Sequence, residues 1–261
     1  MKFLKTLPGM AVAICFAPMV HASTGSFSLK VTDLSFSVQD LAPQDGIMPS
    51  FEILNNKWTS SVTYSRTDAS PLPDVQMYES LSGYLGDISF DDIDGIAKIS
   101  SKGLELSNSA AGLDYMYNSS AQMNGAYPGG IRLSPNSLLM WSFKLEMTAQ
   151  AECSGATYCG AAGYFNTSIS GLDLDGASAS ARYFKSIYAG TGPNSGQFSD
   201  IIYLPFVNSS QKYVDLMVEF SLTGTNSSYG AVPEPTSALL LGAGLAICGW
   251  QLRTRSKLAS S

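Results

Sequence analysis

The sequence predicts an all-β protein, an antiparallel β-sandwich of jelly-roll type. Three observations lead there. Several segments alternate apolar and polar residues with period two, the signature of half-buried strands. Short runs rich in β-branched and aromatic residues are separated by Gly, Pro, Asn and Asp. No window of about a dozen residues carries a helical stripe.

The elements follow in order. Phe27, Leu29 and Val31 alternate with Ser28 and Lys30; then the phase shifts, and Leu34, Phe36 and Val38 alternate with Ser35 and Ser37. A parity change at Thr32-Asp33 predicts a bulge or bend within one long strand region. Leu139, Trp141, Phe143, Leu145 and Met147 form a second alternating strand, with Trp141 in the core, and Val214, Leu216, Val218, Phe220 and Leu222 a third. Shorter strands are expected at 51–54, 58–64, 84–90, 97–106, 164–174, 181–188 and 201–206. Turn chemistry marks Pro43–Gly46, Tyr127–Gly130 and Gly192–Ser195. Ser107–Gly112 and Gly176–Ala181 read as Ser/Gly/Ala loops, and 223–231 as a flexible stalk. The expected organisation is a signal peptide at 1–22, a sandwich domain at 23–222, a linker at 223–231 and a terminal segment at 232–261.

Both ends carry transport signals. Lys2 and Lys5 precede the apolar stretch Met10–Val20, and Val20-His21-Ala22 supplies a small-residue cleavage site, leaving Ser23 as the new first residue. At the other end Val232-Pro233-Glu234-Pro235 precedes the uncharged stretch 238–250, followed by Arg253, Arg255 and Lys257. The apolar run, within a segment of about 236–252, is shorter than the roughly 20 residues of a typical spanning helix, so it predicts a short C-terminal transmembrane helix. The terminal Lys and Arg would stay on the cytoplasmic side. A GPI signal would lack that basic cluster; an uncut tail anchor is the plainer alternative.

This tail resembles a PEP-CTERM sorting signal, with Pro233-Glu234-Pro235 intact. The resemblance covers the tail alone. It implies a Gram-negative bacterial precursor, first cut by signal peptidase and held at the inner membrane. An exosortase-like enzyme would then process it near Val232, Pro233, Glu234 and Pro235, and release it to the cell surface or extracellular matrix. It also implies an association with exopolysaccharide and biofilm matrix.

Charge and residue counts narrow the chemistry. The terminal segments hold five of the 15 Lys and Arg but one of the 21 acidic residues, leaving a formal charge near −10 on the stretch between. Such a surface repels nucleic acid and anionic lipid. The one histidine, His21, lies in the signal peptide, which excludes Ser-His-Asp and Cys-His catalysis from the mature domain. Of four cysteines, Cys15 and Cys248 lie in the terminal segments, and Cys153 and Cys159 are close enough in sequence to predict a disulfide in an oxidising compartment.

The remaining candidates are carboxylates and aromatics. Asp92-Ile93-Asp94-Gly95 and Asp173-Leu174-Asp175-Gly176 offer hard oxygen ligands for Ca²⁺ at Asp92, Asp94, Asp173 and Asp175, although Asp-Gly is equally an ordinary turn. With Asp91, these acids are also the candidates for a carboxylate-dependent glycoside hydrolase. Glu146, Asp215 and Glu219 fall on the polar sides of their strands. Tyr115, Tyr117 and Tyr127, in a region read as loop-rich, are candidates for stacking on sugar rings. No cofactor other than Ca²⁺ is expected. The function these observations favour is an exported, non-catalytic surface or matrix protein; the alternative is a secreted polysaccharide hydrolase.

Overall fold

A computed structural model describes residues 23–230, apart from 69–74, 93, 113–114, 126–128, 154–155, 173–177 and 192–194. The expected signal peptide with Ala22, and the expected sorting signal with Val232, Pro233, Glu234, Pro235 and the spanning helix predicted there, lie outside the described residues. So do Tyr127, Asp173 and Asp175.

The described chain is all β. Its strands are β1 (Ser23–Asp40), β2 (Phe51–Ile53), β3 (Trp58–Asp68), β4 (Val75–Ser82), β5 (Ile88–Asp92), β6 (Gly95–Ser100) and β7 (Gly103–Gly112). There follow β8 (Tyr115–Gly125), β9 (Ile131–Leu133), β10 (Ser137–Glu152), β11 (Ala156–Leu172), β12 (Ser178–Gly190), β13 (Ser195–Asn208) and β14 (Val214–Gly230). Two antiparallel sheets result. One runs β13-β10-β1-β7-β6-β5 and the other β12-β11-β14-β8-β3-β4, with β9 joined to β14 and β2 to β9. The pairs β11–β12, β10–β13 and β9–β14 are nested in sequence and alternate between the sheets.

The inner faces pack into one core, as sandwich geometry requires. Rings of the first sheet meet rings of the second: Trp141 lies 5.2 Å from Phe220, and Phe143 lies 5.4 Å from both Phe165 and Phe220. Trp141 is fully buried. The parity change in β1 is a bulge: Thr32 faces Lys144 and Ser35 faces Ser142, so one residue is extra, and Asp33 takes φ +56°. The extra residue returns Leu34, Phe36 and Val38 to the core side, where all three pack against the buried cluster.

Several sequence expectations are corrected. The run 97–106 is two strands, because Ser100 pairs with Gly103 around a tight turn at Ser101-Lys102. There Gly103 has φ +128°, and a Cβ would strike the Val31 carbonyl. Tyr84 is in a turn and packs edge-on against Trp58 at 4.8 Å, and the strand expected at 84–90 begins at Ile88. Ser107–Gly112 is strand, paired with β1. Thr223–Gly230 is no stalk but the second half of β14, held between β11 and β8.

The stalk reading failed because inward positions in that half are Gly224, Asn226 and Ser228. Gly224 leaves room for the Phe27 ring. Asn226, fully buried, donates from Nδ2 to the Gly25 carbonyl (2.6 Å) and to Asn108 Oδ1 (3.1 Å), and its Oδ1 accepts from the Tyr115 hydroxyl (3.4 Å). Hydrogen bonds replace apolar packing at this end of the sandwich, so alternation is invisible in the sequence.

Candidate functional site: the outer face of the larger sheet

The predicted sites divide sharply. Cys153 and Cys159 form a disulfide with Cα atoms 5.6 Å apart, clamping the β10–β11 connection. Tyr115 and Tyr117 are not sugar-contacting: both are buried, their rings 5.5 Å apart, in a small cluster with Tyr64 and Ala110. They sit at inward positions of β8, a strand the sequence reading took for loop. Burial pushes the Tyr115 phenol up to about 12, with the neighbouring Tyr117 adding to the shift.

The Asp-x-Asp-Gly element at 92–95 is a hairpin turn. Asp92 pairs with Gly95 to close β5–β6. The Asp94 carbonyl accepts from the Asn108 amide and the Ser109 N–H, and its carboxylate lies 3.5 Å from Arg66 Nη1. Asp91 and Asp94 border a shallow depression on the outer face of the smaller sheet, with Ser26, Ser28, Ser107 and Thr148. Among the described residues no group of three or more His, Cys, Asp or Glu is placed to hold a metal ion. Two of the strand-face acids take cations: Glu146 accepts from Lys144 at 2.7 Å, and Asp215 receives Arg132 through two bonds of 2.8 and 3.2 Å, whereas Glu219 accepts from the Ser168 hydroxyl at 3.5 Å. These partners hold the Lys144 and Arg132 protons more tightly than usual.

The larger sheet presents a different surface. Register places its outward side chains in rows that cross the strands. One row reads Ser186, Tyr164, Thr223, Ser120, Thr63 and Tyr78 from β12 to β4. The next reads Phe184, Asn166, Ser221, Gln122, Ser61 and Ser80, and on the other side lies Tyr188, Ala162, Thr225, Asn118, Ser65 and Gln76. None of these positions is charged, in a chain whose formal charge is −6. Thr63 and Ser120 share a hydrogen bond of 2.7 Å across the strands. Charge begins only in the row of Arg182 and Glu219.

Aromatics concentrate on the β11–β12 side of this face. Tyr158, Tyr164, Tyr188 and Tyr229 are 41–45% exposed and Phe184 59%, far more than buried Tyr115 and Tyr117, so stacking surface is available here. Tyr158 and Tyr229 face each other across β11 and β14 with centroids 6.2 Å apart, and the Tyr229 hydroxyl reaches Met116 Sδ at 3.4 Å. Tyr188 lies across the paired Gly160 and Gly190: a Cβ on Gly160 would sit 3.2 Å from its ring, and one on Gly190 would strike its hydroxyl. Two glycines side by side therefore let that ring rest along the sheet. Partial burial and a hydrogen bond with Tyr158 raise the Tyr188 pKa, with Tyr164 close enough to contribute.

An uncharged hydroxyl-and-amide surface beside exposed phenol rings can stack on the C–H faces of sugars and exchange hydrogen bonds with their hydroxyls. Sequence reasoning missed this face, though a signal was present: Tyr164, Asn166, Ser168 and Ser170 share the outward parity of β11. The chain matches no protein-family model and no curated protein.

Proposed function

We propose that this chain is an exported, non-catalytic surface or matrix protein that associates with exopolysaccharide through the outer face of its larger sheet. The observation that carries the reading is the uncharged Ser/Thr/Asn/Gln surface flanked by exposed Tyr164, Tyr188, Tyr158 and Tyr229 on an acidic molecule. The pairing of Asp94, Asp215 and Glu146 with cations supports structural roles for these acids. The nested strand pairing supports a sandwich of jelly-roll type.

Export follows from the terminal segments. Signal peptidase cuts after Ala22, the C-terminal helix holds the precursor in the inner membrane of a Gram-negative bacterium, and an exosortase-like enzyme cuts near Pro233-Glu234-Pro235. Two measurements test the proposal. C-terminal mass spectrometry of the extracellular protein should find no residues beyond about Pro235, and Glu234→Ala should leave a membrane-bound precursor; intact Arg253–Ser261 in the extracellular protein would overturn the sorting step. Incubation with polysaccharides should give pull-down without new reducing ends. Release that disappears when one acidic residue becomes its amide would establish a hydrolase instead.

A further inference from the structure

The geometry points to one ligand class for this face: we infer that it holds a linear, neutral polysaccharide lying along β11 and β12. This rests on the polysaccharide association proposed above and specifies the ligand. Apart from Tyr78 on the far edge strand β4, the exposed rings of this face are not scattered. They follow the strand direction, from the Tyr158–Tyr229 pair, past Tyr188 beside Ala162, to Tyr164 and then Phe184 beside Asn166. From Tyr158 to Asn166 the strand advances about 26 Å. A compact or heavily branched glycan would meet one or two of these rings. A chain running with the strands meets them in succession, and each further sugar engages another ring.

The flanking strands supply the hydrogen bonds. Thr223 and Thr225 of β14 lie directly beside Tyr164 and Ala162, with Ser120 and Asn118 of β8 next to them. Their hydroxyls and amides are both donors and acceptors, which suits sugar hydroxyls. They provide no cation for a uronate, sulfate or phosphate. The acidic molecule adds repulsion toward polyanions, and no charged position in the three central rows offsets it. A protein partner fits less well, because interface cores are depleted of Ser, whereas Ser occurs in all three rows.

The test uses the protein recovered after export of the full chain. Calorimetric titration with linear β-linked glucan and mannan oligosaccharides of increasing length should show affinity rising until the row of rings is covered, then levelling. Tyr164→Ala and Tyr188→Ala should each weaken binding of the longest oligosaccharide by about tenfold. Tyr203→Ala, exposed on the other sheet, should leave it unchanged. Added salt should have little effect, since no ion pair is involved. Unchanged melting temperatures would show that the variants fold. Affinity independent of length, preference for a polyuronate, or binding that survives both tyrosine replacements would overturn this inference while leaving matrix association standing. Failure to bind any polysaccharide would overturn both.

Discussion

At the scale of single residues, the molecule depends on buried polar groups whose partners are remote in sequence. Asn226 is the clearest. It joins β14 to β1 and β7 of the opposite sheet, and its Gly25 partner lies 201 residues away. Gly25 has no side chain because a Cβ there would strike the Asn226 amide oxygen. Asn226→Ala leaves the Gly25 carbonyl without this donor and opens space beside Tyr115, so it should cost about 2 kcal/mol or more. Urea denaturation checks this, with Asn118→Ala on the outer face of the same sheet as the comparison. Equal midpoints would mean the network contributes nothing. Asn208 plays a similar part: fully engaged through Nδ2 with the carbonyls of Ser134 (2.8 Å) and Lys212 (2.9 Å), it ties the β13–β14 connection to the end of β9.

At the scale of elements, β14 decides the fold. It lies at the centre of the larger sheet, paired with β11 on one side and with β8 and β9 on the other. Chain termination after Leu222 would strip Thr223–Gly230 from between β11 and β8. It would also remove Asn226 and the Gly224 gap that receives Phe27. Such a truncation should abolish cooperative unfolding, as read by circular dichroism melting, whereas loss of a mere stalk would leave the transition where it was. The β10–β11 connection is a milder case. Cys153–Cys159 closes a short loop, and the chain-entropy estimate for its length gives about 2 kcal/mol. Reduction under non-denaturing conditions should lower the unfolding free energy by about that amount, read as a lower urea midpoint; an unmoved midpoint would show that β10 and β11, which lie in opposite sheets, need no strap.

For the molecule as a whole, ionisable groups inside the sandwich set its alkaline limit. Tyr84, packed on Trp58 near one end, and Tyr115, beside Asn226, both have pKa values pushed up to about 12, in each case chiefly by burial. The sign follows directly. A phenol that ionises near 10 when unfolded and near 12 when folded contributes its full stability below about pH 10, and loses it as pH rises to about 12. The melting temperature should therefore fall across that window. Tyr115→Phe should make the fall shallower, because Phe has no proton to lose. A melting curve flat from about pH 10 to about pH 12 would contradict burial of these two hydroxyls.

Legible in the chain alone were the all-β class, the long alternating strands around Trp141 and Phe220, the bulge at Asp33, the disulfide and the absence of histidine beyond His21. Each of these is local: alternation reports burial wherever the inward residue is apolar, and a parity shift reports an extra residue directly. Where inward positions are small or polar, packing of distant strands had to reveal them. Gly224, Asn226 and Ser228 in β14, and Asn108 in β7, look like loop residues until Phe27, Gly25 and Tyr115 arrive from distant strands to fill or satisfy them. The same holds for the tyrosines. Tyr115 and Tyr164 are the same residue type in similar polar surroundings along the chain, yet one is buried and the other exposed. Which side of a strand faces the second sheet is a property of two sheets packed together, and register across six strands is what gathers Tyr158, Tyr164, Tyr188 and Tyr229 onto one uncharged face.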